Sequence, residues 1–439
     1  MTAAVRLIEP AAFEAVNHDY PRVPNARLHP VVRHFLSLGN ERIAQRYCHL
    51  HPEVDPVAVR KALSRPSSVL KWAGADLLVT TTDRGHRQLV VVEVNSSPSG
   101  QKSMPLVHEE DGDHRLRGGP GRAHRRARLP GPPPGRRSGP GADLGRARRL
   151  AVARRPGQAR PRLLPLRDPA PLEPPAARVQ GPDAQPGARL PGRRPQQARG
   201  RQGLRVLQRR AGGLRIRVPE TIWDVSSAEV PLWVQRMGGV AVAKNPYSNA
   251  GQGVYTPLSD QELQDFMALE HRYDRFIVQA LVGNVGWSSK GAGGRLYHVG
   301  TVPDRRGKLY ASDLRFMVGS GPDGFLPLAL YARRARHPLT EAAPVGNASW
   351  GMLGTNLSKK LDGGTFTTEP ERLMLMDSRD FNDLGIGLDD LTEGYLQTVL
   401  AVTAIDRMAE RLLTRKGVFR RRLFRDLNPD PAFLAEVSR

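Results

Sequence analysis

Between residues 114 and 213 the chain has no Phe, Tyr, Trp, Ile, Met, Asn, Thr, Cys or Lys, and only four acidic residues: Asp143, Asp168, Glu173 and Asp183. A stretch so poor in large apolar side chains cannot bury enough surface to offset the entropy of ordering it. The remainder of the 439 residues has shortages of a more ordinary kind. Cys48 is the only cysteine, which excludes an internal disulfide and is what a cytoplasmic protein is expected to show. No run approaches the length of apolar residues that a membrane-spanning helix needs, so no membrane segment is expected. Met1 to Pro10 holds one Arg and no apolar leader core, so a signal peptide is not expected either. Cys48, His49 and His51 cluster without a second ligand pair at any usual metal spacing, and a metal reading fails there.

What residues 114–213 do contain is 25 Arg and 17 Pro, so this stretch carries +21 of the chain's net +23 and leaves about +2 for the other 339 residues. The pI near 11.0 therefore describes one segment and not the protein. Two readings of it compete. The first is a disordered Arg/Pro/Gly-rich linker or nucleic-acid arm. The second is translation out of frame, because Gly, Ala, Arg and Pro share GC-rich codons and a nucleic-acid arm usually mixes Lys with Arg. Read one nucleotide later with permitted codons, Pro195 to Gly213 can spell RNKLVAAKAYEFYNAELA, an amphipathic helical sequence that runs straight into the ordinary text from Leu214. The frame-shift reading is the one adopted, and nucleic acid is not expected as a partner.

Outside that stretch the patterning is that of a mixed α+β chain. Apolar residues recur at helical spacing from Pro30 to Tyr47 with a break at Gly39, and Asp55-Pro56 supplies a cap acceptor and a Pro for a helix through Leu63. Ala75–Thr82 and Gln88–Asn95, separated by Asp83-Arg84-Gly85, form a β-hairpin pattern. Further strands are expected at Val240–Lys244, Gly253–Thr256, Phe276–Val282, Tyr297–Val302 and Lys308–Val318. A helix is expected from Ser259, and a long one over Leu391–Leu413. The basic stretch Arg415–Arg425 is read as a solvated helix face.

Three constellations carry chemistry. Glu93 and Asn95, two apart on a strand, share a face that Asp76 on the partner strand can reach. Two carboxylates and an amide oxygen are hard ligands of the kind Mg²⁺ takes alongside phosphate oxygens. Lys244 ends a strand and is followed by a Gly/Asn loop with Gly251 and Gly253, an arrangement that sets an ammonium and backbone N–H groups against phosphate. Its spacing is neither a Walker loop nor a dinucleotide fingerprint. Asp313 and Arg315 share one face of a strand whose other face buries Leu314 and Phe316. Arg333-Arg334 and Thr355-Asn356 are weaker candidates for phosphate contacts and a further oxygen ligand.

Taken together, VAKNPYSNAGQGVY, FIVQALV, SDLRFMVG and ADLLVTTTDRGHRQLVVVEVNSSPSG resemble the ATP-grasp superfamily, in particular its peptide-ligase branch. The hairpin precedes the Lys244 strand by about 150 residues, an order that resembles the circularly permuted members. The resemblance implies two α+β subdomains holding ATP between them. It implies Asp76, Glu93 and Asn95 as Mg²⁺ ligands, Lys244, Gly251, Gly253, Gln279 and Asp313 on the nucleotide, with Gln279 near the adenine, and Arg315 as the catalytic contact to the transferred phosphate. It divides the chain into a helical region (1–69), the metal hairpin (70–112), the interrupting segment (113–213), the nucleotide region (214–375) and C-terminal helices (376–439). The activity implied joins a small-molecule or peptide carboxylate to an amine or thiol, with ATP and Mg²⁺. The family's second nucleotide-binding lysine is absent and has a counterpart only in the shifted text before Leu214, so this chain is expected to be impaired.

Resequencing the gene should reveal a compensating pair of insertions or deletions, one near the codons for Val107–Arg115 and one near those for Arg210–Arg217. The same Arg/Pro-rich text uninterrupted in several close relatives would sink the frame-shift reading. Steeply salt-dependent RNA or DNA binding would then be the property to measure.

Overall fold

The computed structural model describes residues 27–95, 98, 104–105, 212–247, 253–343, 349–360, 366–414, 417–428 and 430–437. The Arg/Pro-rich segment, apart from its last two residues Gly212 and Gly213, lies outside the described residues.

The N-terminal helices follow their sequence signals. Helix α1 (Pro30–Ser37) starts on a Pro, and α2 (Asn40–Leu50) begins directly after the break at Gly39. Helix α3 (Pro56–Ser64) is capped by the Asp55 carboxylate, which accepts from the Val57 N–H at 2.9 Å. The hairpin follows as β1 (Trp72–Thr82) and β2 (Arg87–Asn95), paired antiparallel. The other edge of β1 pairs with β9 (Ser312–Gly321) over Trp72–Leu78 and with β8 (Gly294–His298) over Thr80–Thr82. Strand β10 (Gly324–Arg334) adds to β9, β13 (Leu373–Met374) to β10, and β7 (Lys290–Gly291) to β8, giving a seven-stranded sheet.

A second sheet has the order β3 (Thr221–Ser226), β6 (Arg275–Gln279), β4 (Val242–Lys244), β5 (Val254–Tyr255). Strands β11 (Ser358–Lys360) and β12 (Phe366–Thr368) pair separately. All the strand pairs are antiparallel, so the described fold is α+β. No helix among the described residues is long and apolar enough to cross a membrane.

Each large sheet has one face covered by helix. Helices α4 (Val230–Arg236) and α5 (Asp260–Ala268) bury Val230, Val234, Leu263 and Phe266 against Ala243, Phe276 and Val278 of the small sheet. After α6 (Ser349–Leu353) and α7 (Ser378–Leu384), the 25-residue α8 (Leu388–Leu412) lies on the seven-stranded sheet. Gly394 is its point of closest approach, where a Cβ would stand 3.1 to 3.4 Å from Leu89, Leu77 and Phe316. Phe316 packs edge-on to Phe35 at 5.7 Å and tilted to Tyr395 at 5.9 Å, all three rings buried. Short helices α9 (Arg421–Leu427) and α10 (Pro431–Val437) close the described chain.

Several strand boundaries differ from expectation. The strand expected over Lys308–Val318 starts at Ser312, because Asp304 accepts the Arg306 and Lys308 N–H groups and Gly307 takes φ +71°, which makes 304–308 a turn. The strand expected over Tyr297–Val302 ends at His298, before Gly300 at φ +72°. Strand β10 is not legible as a strand because Pro327 interrupts it; in the structure that Pro sits at a register shift, where a ladder N–H is dispensable.

Phe316→Ala should lower the unfolding free energy by about 3–5 kcal/mol, the usual cost of removing a buried ring. Urea denaturation followed by circular dichroism measures it.

Candidate functional site

Strand pairing, not sequence proximity, assembles the polar face of the large sheet. Ala73, Ala75, Leu77 and Val79 of β1 enter the core under α8, so Gly74, Asp76, Leu78 and Thr80 point the other way. Directly opposite Asp76 lie Glu93 on β2 and Arg315 on β9, and opposite Arg315 lies Tyr331 on β10. Asn95 stands opposite Gly74, and Asp313 stands between Leu78 and Arg333. Asp76, Glu93 and Asn95 therefore share one face, with Asp313, Arg315, Tyr331 and Arg333 beside them.

The centre of that face is an ionic network. Asp76 is 2 % exposed, and its two oxygens accept from Arg315 Nε at 2.6 Å and Nη2 at 2.7 Å. Arg333 Nη2 reaches the same carboxylate at 2.8 Å while its Nε binds Asp313 at 3.0 Å. Arg315 also donates to the Tyr331 hydroxyl at 3.3 Å, and Thr355 Oγ1 donates to Asp313 at 2.9 Å. Burial alone would raise the Asp76 carboxyl, but the Arg315 and Arg333 charges outweigh it and hold the group well below the ordinary carboxylate range.

Lys244 arrives from the small sheet. Val242, Lys244 and Gln279 occupy the face that α4 and α5 leave uncovered. The Lys244 ammonium donates to Gln279 Oε1 at 2.8 Å and, across the gap between the sheets, to the Val92 carbonyl at 3.3 Å. That carbonyl is available because the β1–β2 register shifts between Asp76 and Leu77: Asp76 pairs with Glu93 and Leu77 with Val91, leaving Val92 as the extra residue of a bulge. Burial lowers the Lys244 ammonium from the usual lysine range, with Glu93 and Asp76 opposing. The Glu93 side chain is exposed on this face. Partial desolvation by the surrounding protein and the Asp76 charge push its carboxyl up, against Lys244, Arg315 and Arg333.

The residues picked from sequence fare unevenly. Asp76, Glu93, Arg315, Lys244 and Gln279 come together. Gln279 is engaged by Lys244 and by Thr221 Oγ1 at 3.0 Å. Asp313 and Arg315 do not pair with each other: Arg315 binds Asp76, and Asp313 binds Arg333 and Thr355. Gly253, at φ +72°, accepts the Asn245 N–H at 2.7 Å and closes the base of the loop after Lys244, while Gly251 lies outside the described residues. Arg333, a weaker phosphate-contact candidate by its place in the sequence, is an internal clamp, and no sequence pattern marks Tyr331 or the Val92 carbonyl. Pairing partners of β10 were the missing signal.

Glu93 offers a solvent-exposed carboxylate, and of the Asn95 amide only Oδ1 is a hard ligand, its buried Nδ2 being a donor without a hydrogen-bond partner. Asp76 has both oxygens already bound by guanidinium groups. Among the described residues no group of three or more His, Cys, Asp or Glu side chains could hold a metal ion. The hard oxygens left on this face are the Glu93 carboxylate and Asn95 Oδ1; Asp76, as it stands, serves arginine.

The fold and site define an α+β protein with two antiparallel sheets meeting over a buried Asp–Arg network and a lysine. Comparison with family models, curated proteins and solved structures finds no match to the chain.

Asp76→Asn should cost about 3–5 kcal/mol in urea denaturation, since it leaves two buried guanidinium groups short of their anion. Because the folded Asp76 pKa is depressed, its contribution is fully present above the ordinary Asp value of about 3.9 and is lost as pH falls below it. Stability measured from pH 7 down to 3 should therefore drop in the wild type by more than in the Asp76→Asn variant.

Proposed function

We propose that the chain is built as an ATP-dependent carboxylate–amine (or thiol) ligase of the ATP-grasp type, in permuted order, and that this exact polypeptide is impaired by residues 114–213. The observation that carries the reading is Lys244 of the small sheet meeting the Glu93/Asp76/Arg315 face of the large one, with ATP taken between them. ATP and the carboxylate are substrates: a carboxylate oxygen attacks the γ-phosphorus, ADP leaves, and an acyl phosphate forms. The amine then attacks the acyl carbon, phosphate leaves, and the amine gives up its proton.

In that reaction the protein supplies position and charge rather than a covalent intermediate. Lys244 holds the phosphates, and its neighbour Gln279 sets the adenine side. Arg315, aimed by Asp76 and Tyr331, faces the transferred phosphoryl group, where charge builds up. Glu93 and Asn95 would hold Mg²⁺, which supplies neutralisation of phosphate charge when bound. Asp313 and Arg333, buried beside it on the same face, keep Asp76 oriented.

The test is Mg²⁺-dependent ADP formation across a panel of carboxylates with amino-acid and peptide acceptors, run on the chain as it stands and on a frame-restored gene product. The restored protein should turn over, and Lys244→Ala and Glu93→Gln should each lower kcat by about 10²–10³-fold. ATP binding without ADP formation would favour a non-catalytic ATP-binding module. Turnover of about 1 per second or faster by the present chain would show that residues 114–213 do not interrupt the enzyme.

A further inference from the structure

The single turn Pro370–Arg372 carries an arginine that no sequence pattern singles out. Arg372 is 5 % exposed, and its guanidinium spends its donors on backbone carbonyls. Nη1 reaches Arg334 O at 2.7 Å and Gly354 O at 3.4 Å, Nη2 binds Asn356 O, and Nε binds the Glu369 carboxylate at 2.8 Å. Glu369 is held in turn by Arg336 at 2.8 Å, and its N–H donates to Leu357 O at 3.0 Å.

Two segments are thus tied together: the end of β10, directly after the clamp residue Arg333, and the stretch 354–357 between α6 and β11. Thr355 lies between the two gripped carbonyls, and its hydroxyl is the one that binds Asp313. Thr355 and Asn356 are half-exposed, while Gly354 and Leu357 on either side are buried. Gly354 has no room for a side chain, since a Cβ would stand 2.6 Å from Trp350 O.

We infer that Arg372 is a positioning residue of the candidate site: it fixes the Gly354–Asn356 stretch as a wall and holds the Thr355 hydroxyl on the Asp313–Arg333–Asp76 network. What the wall faces rests on the ligase reading; that Arg372 sets the wall does not. A planar guanidinium offers five donors in a fixed fork and can serve three carbonyls and a carboxylate together, whereas a lysine ammonium offers three donors from one point. The charge alone is therefore not what the position requires.

Hydrogen exchange on the full chain decides the anchoring. In Arg372→Lys and Arg372→Gln, amides of residues 354–357 should exchange faster by roughly tenfold or more, while those of Ala75–Leu77 and Leu314–Phe316 stay as in the wild type. Unchanged exchange at 354–357 overturns the inference, and so does equal acceleration in the core strands, which would make Arg372 a general stabiliser. A double-mutant cycle reads the link to the site through the thermal stabilisation given by Mg²⁺ and ADP. Arg372→Gln and Thr355→Val should each reduce it, and the double variant should be no worse than Arg372→Gln alone; full additivity overturns the link through Thr355. If Mg²⁺ and ADP stabilise not even the frame-restored protein, the ligase reading fails; if only the present chain goes unstabilised, exchange alone decides the role of Arg372.

Discussion

A carboxylate with almost no solvent contact, Asp76, binds two guanidinium groups, and the arrangement of the large sheet follows from keeping that network complete. Removing charges from water costs several kcal/mol per ion, so such a cluster persists only when every member is paired and hydrogen-bonded. The pairing needs three strands in register at once: Asp76 opposite Arg315, Arg315 opposite Tyr331, and Asp313 opposite Arg333. A slip of one residue in any of them would turn these side chains into the apolar face under α8. The ionic network and the apolar core therefore specify the same register from opposite faces of β1, β9 and β10.

The bulge at Val92 extends that constraint to the second sheet. It returns β2 to the correct face, so that Glu93 and Asn95 share a side with Asp76 while Val91 and Val94 stay in the core. It also leaves one carbonyl outside the ladder, and this is the group Lys244 finds. One inserted residue thus aims the hairpin's polar side chains and supplies the contact between the sheets. The Coulombic coupling of Lys244 to Glu93 and Asp76 is a consequence of that geometry.

Local features were readable in the sequence because their causes are local. Asp55-Pro56, the break at Gly39 and the turn at Asp83-Arg84-Gly85 each satisfy backbone groups within a few residues, and all three stand where the patterns put them. That Glu93 and Asn95 share a face was readable from their spacing of two, but that Asp76 joins them was not, because it depends on the bulge at Val92. Nor was the partner of Arg315. Residues two apart on a strand rise roughly 6.6 Å along it, whereas directly opposed residues on paired strands approach to about 4.5–5.5 Å. Arg315 therefore binds Asp76, 239 positions away, in preference to Asp313 beside it. Which strand lies next to β9 depends on tertiary packing, and Pro327 hid β10 altogether.

The same logic holds on either side of the Arg/Pro-rich stretch. On one side of the Arg/Pro-rich stretch, Met104 is buried, and its sulfur accepts the Leu330 N–H at 3.2 Å. On the other side, Leu214 and Ile216 enter the core beneath α8. The segment they belong to is held as a strand would be: Val91 N–H donates to Arg217 O at 2.8 Å on the outer edge of β2. Gln397, fully buried in α8, accepts from Arg217 N–H at 2.8 Å and donates to Arg215 O at 3.0 Å. A buried amide that supplies both a donor and an acceptor to a passing backbone leaves no unpaired polar group, which is the condition for chain to run through a core. On this side the fold grips the chain from Gly212, whose carbonyl accepts the Asp55 N–H at 2.9 Å, through Leu214 and Ile216.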